Sequence, residues 1–202
     1  MKSLRLIGIG LLMMMPFLAI KAQKALTPQD LEAWKQISAR TISNDGQWAA
    51  VVFTPWRGDS EVQLMSLDGK NVQMYPTASD VKFSSSSAFA LIKRVPAMAL
   101  TDSLKLKKVK SDKMPMDELL IRNLKTGAEW KIDSLKGYKL AEEGDWVAYQ
   151  RTRKKSILEV VSLDGTNKYE LASALAYGFA KEKPVLYFVT KDTIGGMKPG
   201  MY

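Results

Sequence analysis

Two residue types are missing from this 202-residue chain, which contains neither cysteine nor histidine. Without cysteine there are no disulfides, no thiol nucleophile and no cysteine-ligated metal. Without histidine the side chain most used as a general base near neutral pH is gone, and so is the commonest metal ligand. Stability therefore has to come from packing. Long apolar runs are scarce as well. The one at the start, Leu6 to Ile20, is interrupted by Pro16 and falls short of the ~20 residues that cross a bilayer. With Lys2 and Arg5 ahead of it and Ala22 as a small residue at the cut, residues 1–22 read as a secretory signal. That places the mature protein in the periplasm, without a membrane span and, lacking cysteine, without a lipidated cysteine anchor.

What is present is charge of one sign. The 30 lysines and arginines exceed the 21 acidic residues, for a net +9. Lys2, Arg5 and Lys21 belong to the leader, so a chain that begins near Gln23 keeps 27 basic residues and a net +6. Lys105, Lys107, Lys108, Lys110 and Lys113 crowd into nine residues that carry neither turn nor strand signals. Nucleic-acid binding calls for aromatics among the basic residues, and positions 100 to 116 have none, so this stretch reads as a solvated loop and nucleic acid is excluded as a partner.

The remainder is repetitive. Leu64-Met65-Ser66-Leu67-Asp68-Gly69 returns as Leu120-Ile121-Arg122-Asn123-Leu124-Lys125-Thr126-Gly127 and as Glu159-Val160-Val161-Ser162-Leu163-Asp164-Gly165. A second element, Asp45-Gly46-Gln47-Trp48-Ala49-Ala50-Val51, returns as Glu143-Gly144-Asp145-Trp146-Val147-Ala148-Tyr149. Asp-Gly between β-rich flanks is the sequence form of two-residue hairpins, because few residues tolerate the positive φ. Two alternating hairpins per unit make a four-stranded blade, and the fold class is all-β, a partial β-propeller of about three to four such blades.

Strands are expected near 40–43, 48–54, 61–67, 70–75, 79–83, 88–94, 118–124, 128–132, 137–141, 146–151, 156–163, 167–171, 175–180 and 185–190. Trp48 to Phe89 is 41 residues and Trp146 to Leu186 is 40, as a four-stranded blade requires. The middle interval, 57, is restored to period by removing an insertion at Val95 to Met114, which is expected to be dispensable for the fold. The next turn glycine is due just past Tyr202, so the sequence reads as a truncated piece of a longer chain. Ahead of the repeats, residues 23–40 read as a helical segment: Thr27 as N-cap, Pro28 at the first position, Asp30 three residues after the cap, a Leu26/Leu31 staple, and one face of Leu31, Trp34 and Ile37. The organisation is thus 1–22 signal, 23–40 helical segment and 41–202 propeller.

Candidate site residues are few. Trp48 and Trp146 occupy equivalent positions, and a residue that recurs with the repeat belongs to the core. Trp56, with Arg57, Gly58 and Asp59, follows a strand beside Pro55 and has no counterpart, which marks Trp56, Arg57 and Asp59 as a surface or interface group. Asp45, Asp68 and Asp164 stand alone before turn glycines, a turn-forming pattern and not a metal cluster. Glu142, Glu143 and Asp145 read as a polar hairpin tip, and Arg151, Arg153, Lys154 and Lys155 as a basic loop. No catalytic, cofactor-binding or metal-binding residue is assigned.

Three segments in order resemble the exported serine peptidases of the prolyl oligopeptidase family, in the Bacteroides-type branch. They are Leu26-Thr27-Pro28-Gln29-Asp30-Leu31 with Trp34-Lys35-Gln36-Ile37, the Ile42–Ala49 hairpin, and the insertion ending in Met114-Pro115-Met116-Asp117-Glu118-Leu119. The resemblance runs from about Ala25 to Thr190. It implies a propeller that covers the active site of an attached α/β-hydrolase domain and admits peptides to it. Catalysis in that family uses a Ser on a Gly-x-Ser-x-Gly elbow, an Asp and a late His. No such elbow occurs here and there is no histidine, so this chain should be inactive alone. The alternative is a periplasmic propeller that binds a protein or peptide without chemistry.

Overall fold

The computed structural model describes residues 26, 27, 30, 34–151, 157–190 and 198–202. The chain divides into two units, residues 1–31 and 32–202. In the first, the Thr27 amide donates to Asp30 Oδ2 (2.9 Å) and the Asp30 amide to Thr27 Oγ1 (3.3 Å), the reciprocal bonds of a helix N-cap. The leader, Pro28 and Leu31 lie outside the described residues. The expected helical face does not reach Ile37, because strand β1 (Lys35–Ile42) begins two residues earlier and leaves Ile37 57% exposed. Lys35 to Ile42 pairs with residues 49–55, so strand partnership overrides the three-residue spacing.

The second unit is a partial β-propeller. Blade 1 is β1, β2 (Trp48–Pro55), β3 (Glu61–Ser66) and β4 (Val72–Pro76), antiparallel in chain order. Blade 2 is β5 (Ala78–Phe83), β6 (Phe89–Arg94), β7 (Asp117–Asn123) and the first half of β8 (Glu129–Leu140). Blade 3 takes the second half of β8, β9 (Trp146–Arg151), β10 (Ile157–Ser162) and the first half of β11 (Lys168–Phe179). The second half of β11, β12 (Leu186–Thr190) and β13 (Gly200–Met201) contribute a fourth set.

The strand pairs expected at 128–132 and 137–141, and at 167–171 and 175–180, are therefore each one continuous strand. The chain leaves one blade and enters the next through a single left-handed residue, Thr77 (φ 60°) between β4 and β5 and Ser134 (φ 56°) inside β8. The first strand of every blade then skips one partner at the same place. Pairing passes over Ser38 in β1, Ser79 in β5, Lys136 in β8 and Leu175 in β11. These recurring β-bulges bend the chain and re-aim its side chains from one blade to the next.

The turns differ from the expected two-residue form. Ser66 and Asn71 close a four-residue loop in which the Gly69 amide donates to Ser66 O (3.0 Å) and Gly69 takes φ 75°. Ser43–Trp48 and Ser162–Asn167 are built identically. The serine hydroxyl donates to the aspartate (2.6 Å from Ser43 to Asp45, 2.6 Å from Ser66 to Asp68), and that carboxylate accepts the amide two residues on. Ser84–Phe89 repeats the turn with serine in both roles, Ser87 standing at φ 59° where glycine stands elsewhere.

Among the described residues, three apolar cores lie between blades. Along β6, Ala90 and Ile92 face blade 1 with Val52, Val62 and Leu64, while Phe89 and Leu91 face blade 3 with Val147, Tyr149 and Leu163. Period-two alternation thus feeds both faces of a blade, which is why the middle strands read as unbroken apolar runs. Each fully buried Leu, Ile or Val contributes about 1.5–3 kcal/mol. Trp48 and Trp146 are half-buried against the first and third cores, at matching positions of the repeat.

Candidate functional site

Hairpin turns and inter-blade junctions fall at opposite ends of the strands. At one end stand the short turns at 43–48, 66–71, 84–89, 123–128, 141–146, 162–167 and 180–185. These turns are stitched to one another. Asn44 Nδ2 donates to Ser85 O (3.1 Å), Asp45 N to Ser87 Oγ (3.0 Å), and Ser86 Oγ to both carboxylate oxygens of Asp145 (2.7 Å). The polar tip of residues 142–145 is therefore a tie between blades 2 and 3. Hydrogen bonds from the Ser66 hydroxyl and the Lys70 amide hold the Asp68 carboxyl down to about 2. Asp45 and Asp164 are lowered for the same reason, first by Ser43 and Ser162. Their carboxylates are spent on the turn, and among the described residues no group of acidic side chains is arranged to hold a metal ion.

At the other end lie the long connectors, and with them Trp56, Arg57 and Asp59. Gly58 takes φ 124°, a conformation side chains resist, and turns the loop so that Trp56 stands 81% exposed with Arg57 beside it. Asp59 has a different task. Its Oδ1 accepts the Met98 amide at 2.7 Å, at the N-terminus of helix α1 (Met98–Leu106). The neighbouring Ala97 offers no cap of its own, so the carboxylate from the β2–β3 loop satisfies an orphan donor and meets the positive end of the helix dipole.

The lysine-rich stretch is thus not a featureless loop but α1 followed by a 3-10 turn at Ser111–Lys113. The helix ends with Lys108 at φ 53°, its amide on Lys105 O and the Val109 amide on Leu104 O. This Schellman closure usually employs glycine. Beneath α1 lies a hollow of about 270 Å³ floored by Arg94 and Glu118, which pair at 2.8 Å. Arg94 Nε also donates to Pro76 O (3.2 Å), so one guanidinium fastens the insertion's roots to the junction before Thr77.

A third polar group sits between blades 2 and 3 beside a cleft of about 450 Å³. Buried Glu159 accepts Tyr149 Oη (2.7 Å) and lies 2.8 Å from Lys168 Nζ and 3.0 Å from Arg151 Nε. Burial alone would raise its pKa, but the Lys168 and Tyr149 hydrogen bonds and the Arg151 charge outweigh it and the net shift is downward. Each cation lining the cleft already has a carboxylate, since Lys131 pairs with Glu118 and Asp133. This network is self-contained. Arg153, Lys154 and Lys155 lie outside the described residues.

Of the expected surface group, Trp56 and Arg57 are exposed, whereas Asp59 is half-buried as a helix cap; sequence reasoning missed α1, that cap and the Glu159 network. Pro96 just before the helix and its run of Met, Ala, Leu and Lys are the local signal for α1. The cap comes from 39 residues away and has none.

No protein-family model matches the sequence, and no curated protein matches it. Solved structures do. Prolyl oligopeptidase B from Galerina marginata superposes with TM-score 0.51 at 15% identity, over 80% of this chain and 26% of that one. A prolyl endopeptidase structure, one of two analysed for inter-domain dynamics in catalysis and specificity, gives 0.51 at 13% identity, over 77% and 25%. The β-propeller domain of the Trilobed protease from Pyrococcus furiosus gives 0.49 at 11% identity, over 78% and 49%. The chain spans about a quarter to a half of the length of these structures. At such identities the likeness is one of fold.

Proposed function

We propose that this chain is the exported, periplasmic propeller portion of a serine peptidase of the prolyl oligopeptidase type, which restricts peptide access to a catalytic α/β-hydrolase domain absent from these 202 residues. The observation that carries the reading is the order of parts. A signal-like leader and a capped helical start precede the first blade, the Ile42–Ala49 hairpin joins that blade's first two strands, and an insertion opens between the second and third strands of blade 2. The likeness in fold to prolyl oligopeptidase B over 80% of the chain supports it. The propeller itself supplies no chemistry. Cleaving a peptide bond at neutral pH needs an activated nucleophile and a proton carrier, and the sequence has no cysteine and no histidine.

Reading the gene past codon 202 tests the proposal. Further blades followed by a Gly-x-Ser-x-Gly elbow and a late histidine are expected, whereas a single closing blade and a stop codon would favour a non-enzymatic binding propeller. The purified chain is expected to stay unlabelled by a fluorophosphonate probe. Stoichiometric labelling of one serine would overturn the non-catalytic assignment.

A further inference from the structure

The connector between β6 and β7 has one property that neither its fold nor the peptidase reading uses. From Met98 to Lys113 it carries five lysines against Asp102 and Asp112. Lys105 lies 3.9 Å from Asp102, and among the described residues Lys107, Lys108, Lys110 and Lys113 have no carboxylate partner. Elsewhere in the propeller the cations are mixed: Lys93, Arg94, Arg122 and Lys131 are paired at 3.3 Å or less, while Lys125, Lys136 and Lys139 stand apart without the density of charge seen in the connector. Amid the unpaired lysines Leu106 is 85% exposed, and Leu100, in the same helix, is 49% exposed. Trp56, 81% exposed, stands on the loop that Asp59 fastens to the same helix.

We infer that this connector docks on a bilayer rich in anionic phospholipid. The lysines meet headgroups, and Leu106 with its neighbours enters the interface. Three features select a lipid surface. The charges are lysines alone, compact point charges suited to a field of mobile headgroups, with no arginine fork between 98 and 113 for a fixed carboxylate or phosphate. Aromatic residues for stacking nucleic-acid bases are absent from the same stretch. The most exposed apolar side chains, Leu106 and Trp56, stand clear of the hollow under α1, whose wall includes Leu100. Each lysine held near an anionic surface is worth about fivefold in affinity, so the cluster gives weak, reversible, salt-sensitive binding. The inference does not depend on the peptidase reading.

Sedimentation of the full chain tests it, using vesicles of phosphatidylcholine alone and vesicles with about a third phosphatidylglycerol. Binding is expected to the anionic vesicles and to fall as salt rises. In the variant carrying Lys105→Gln, Lys107→Gln, Lys108→Gln, Lys110→Gln and Lys113→Gln it is expected to weaken at least about tenfold. Lys70→Gln, Lys125→Gln, Lys181→Gln and Lys183→Gln together, at the short-turn end, are expected to leave it unchanged. The leader is common to every variant, so the differences isolate the connector. Should the five-lysine variant not fold, Leu106→Asp carries the test with the same expected weakening. Equal binding by wild type and connector variants, or no binding by the wild type to anionic vesicles, overturns the inference. Capture by polyglutamate without vesicle binding also overturns it and points to an acidic protein.

Discussion

The two ends of the blades obey different rules. At the short-turn end the same four-residue loop is written again and again, and its serines, aspartates and backbone amides bond to one another and to the next blade. At the long-connector end the two fully described loops, at 56–60 and 95–116, are unlike each other. One projects Trp56, and another carries nine residues of helix. Repetition at one end fixes the spacing of the blades. Variation in the connectors at the other end is then free to serve recognition, because the recurring bulges and left-handed junction residues there lie within or directly between strands and not in the loops. The Asp59 carboxylate caps a helix in a neighbouring loop, where the carboxylates of Asp45, Asp68 and Asp164 close their own turns and that of Asp145 ties one turn to the next.

Substitutions should separate the ends from each other and from the cores beneath them. The largest loss is expected from Ile121→Ala, which opens a cavity in the fully buried core between blades 2 and 3 and should cost about 2–5 kcal/mol in denaturant unfolding. Next comes the short-turn end. Gly69→Ala meets no atom within 4 Å, so its cost of about 1–2 kcal/mol would report the left-handed backbone alone. A smaller effect is expected in acid. The Asp68 carboxyl is depressed to about 2 in the folded state from an ordinary 3.8. Its contribution is full above the ordinary carboxyl range and is lost as pH falls through the folded value. Melting temperature measured between about pH 4 and 2 should therefore decline less steeply in Asp68→Asn than in the wild type. The smallest change belongs to the long-connector end, where Trp56→Ala should alter stability by less than about 0.5 kcal/mol. A loss there as large as that of Ile121→Ala would show Trp56 to be structural and would erase the contrast.

Legibility follows the same division. The turn positions could be read from Asp-Gly pairs, and the period of about 40 from Trp48, Phe89, Trp146 and Leu186, because φ requirements and strand alternation are local and recur with the repeat. Even Ser84-Ser85-Ser86-Ser87, which has lost every letter of the turn except its first serine, sits in register. What was not legible depends on distant partners. Residues 35–40 look helical until they pair with β2, α1 has its cap in another loop, and Glu159 gains its meaning only from Tyr149, Arg151 and Lys168. Ser134 hides for another reason, since a lone left-handed serine inside β8 leaves no mark in composition.

The roots of the lysine-rich connector carry a practical consequence. Arg94 and Glu118 are cross-strand partners, so the 23 residues between them leave and return within one strand spacing. Whatever is spliced there starts and finishes at neighbouring points, and each doubling of its length costs only about 0.6 kcal/mol of closure entropy. The site is in effect a socket, able to accept an epitope, a fluorophore-bearing peptide or a small foreign domain whose termini lie side by side. A probe seated there would report on whatever approaches that face while the strands on either side keep their register.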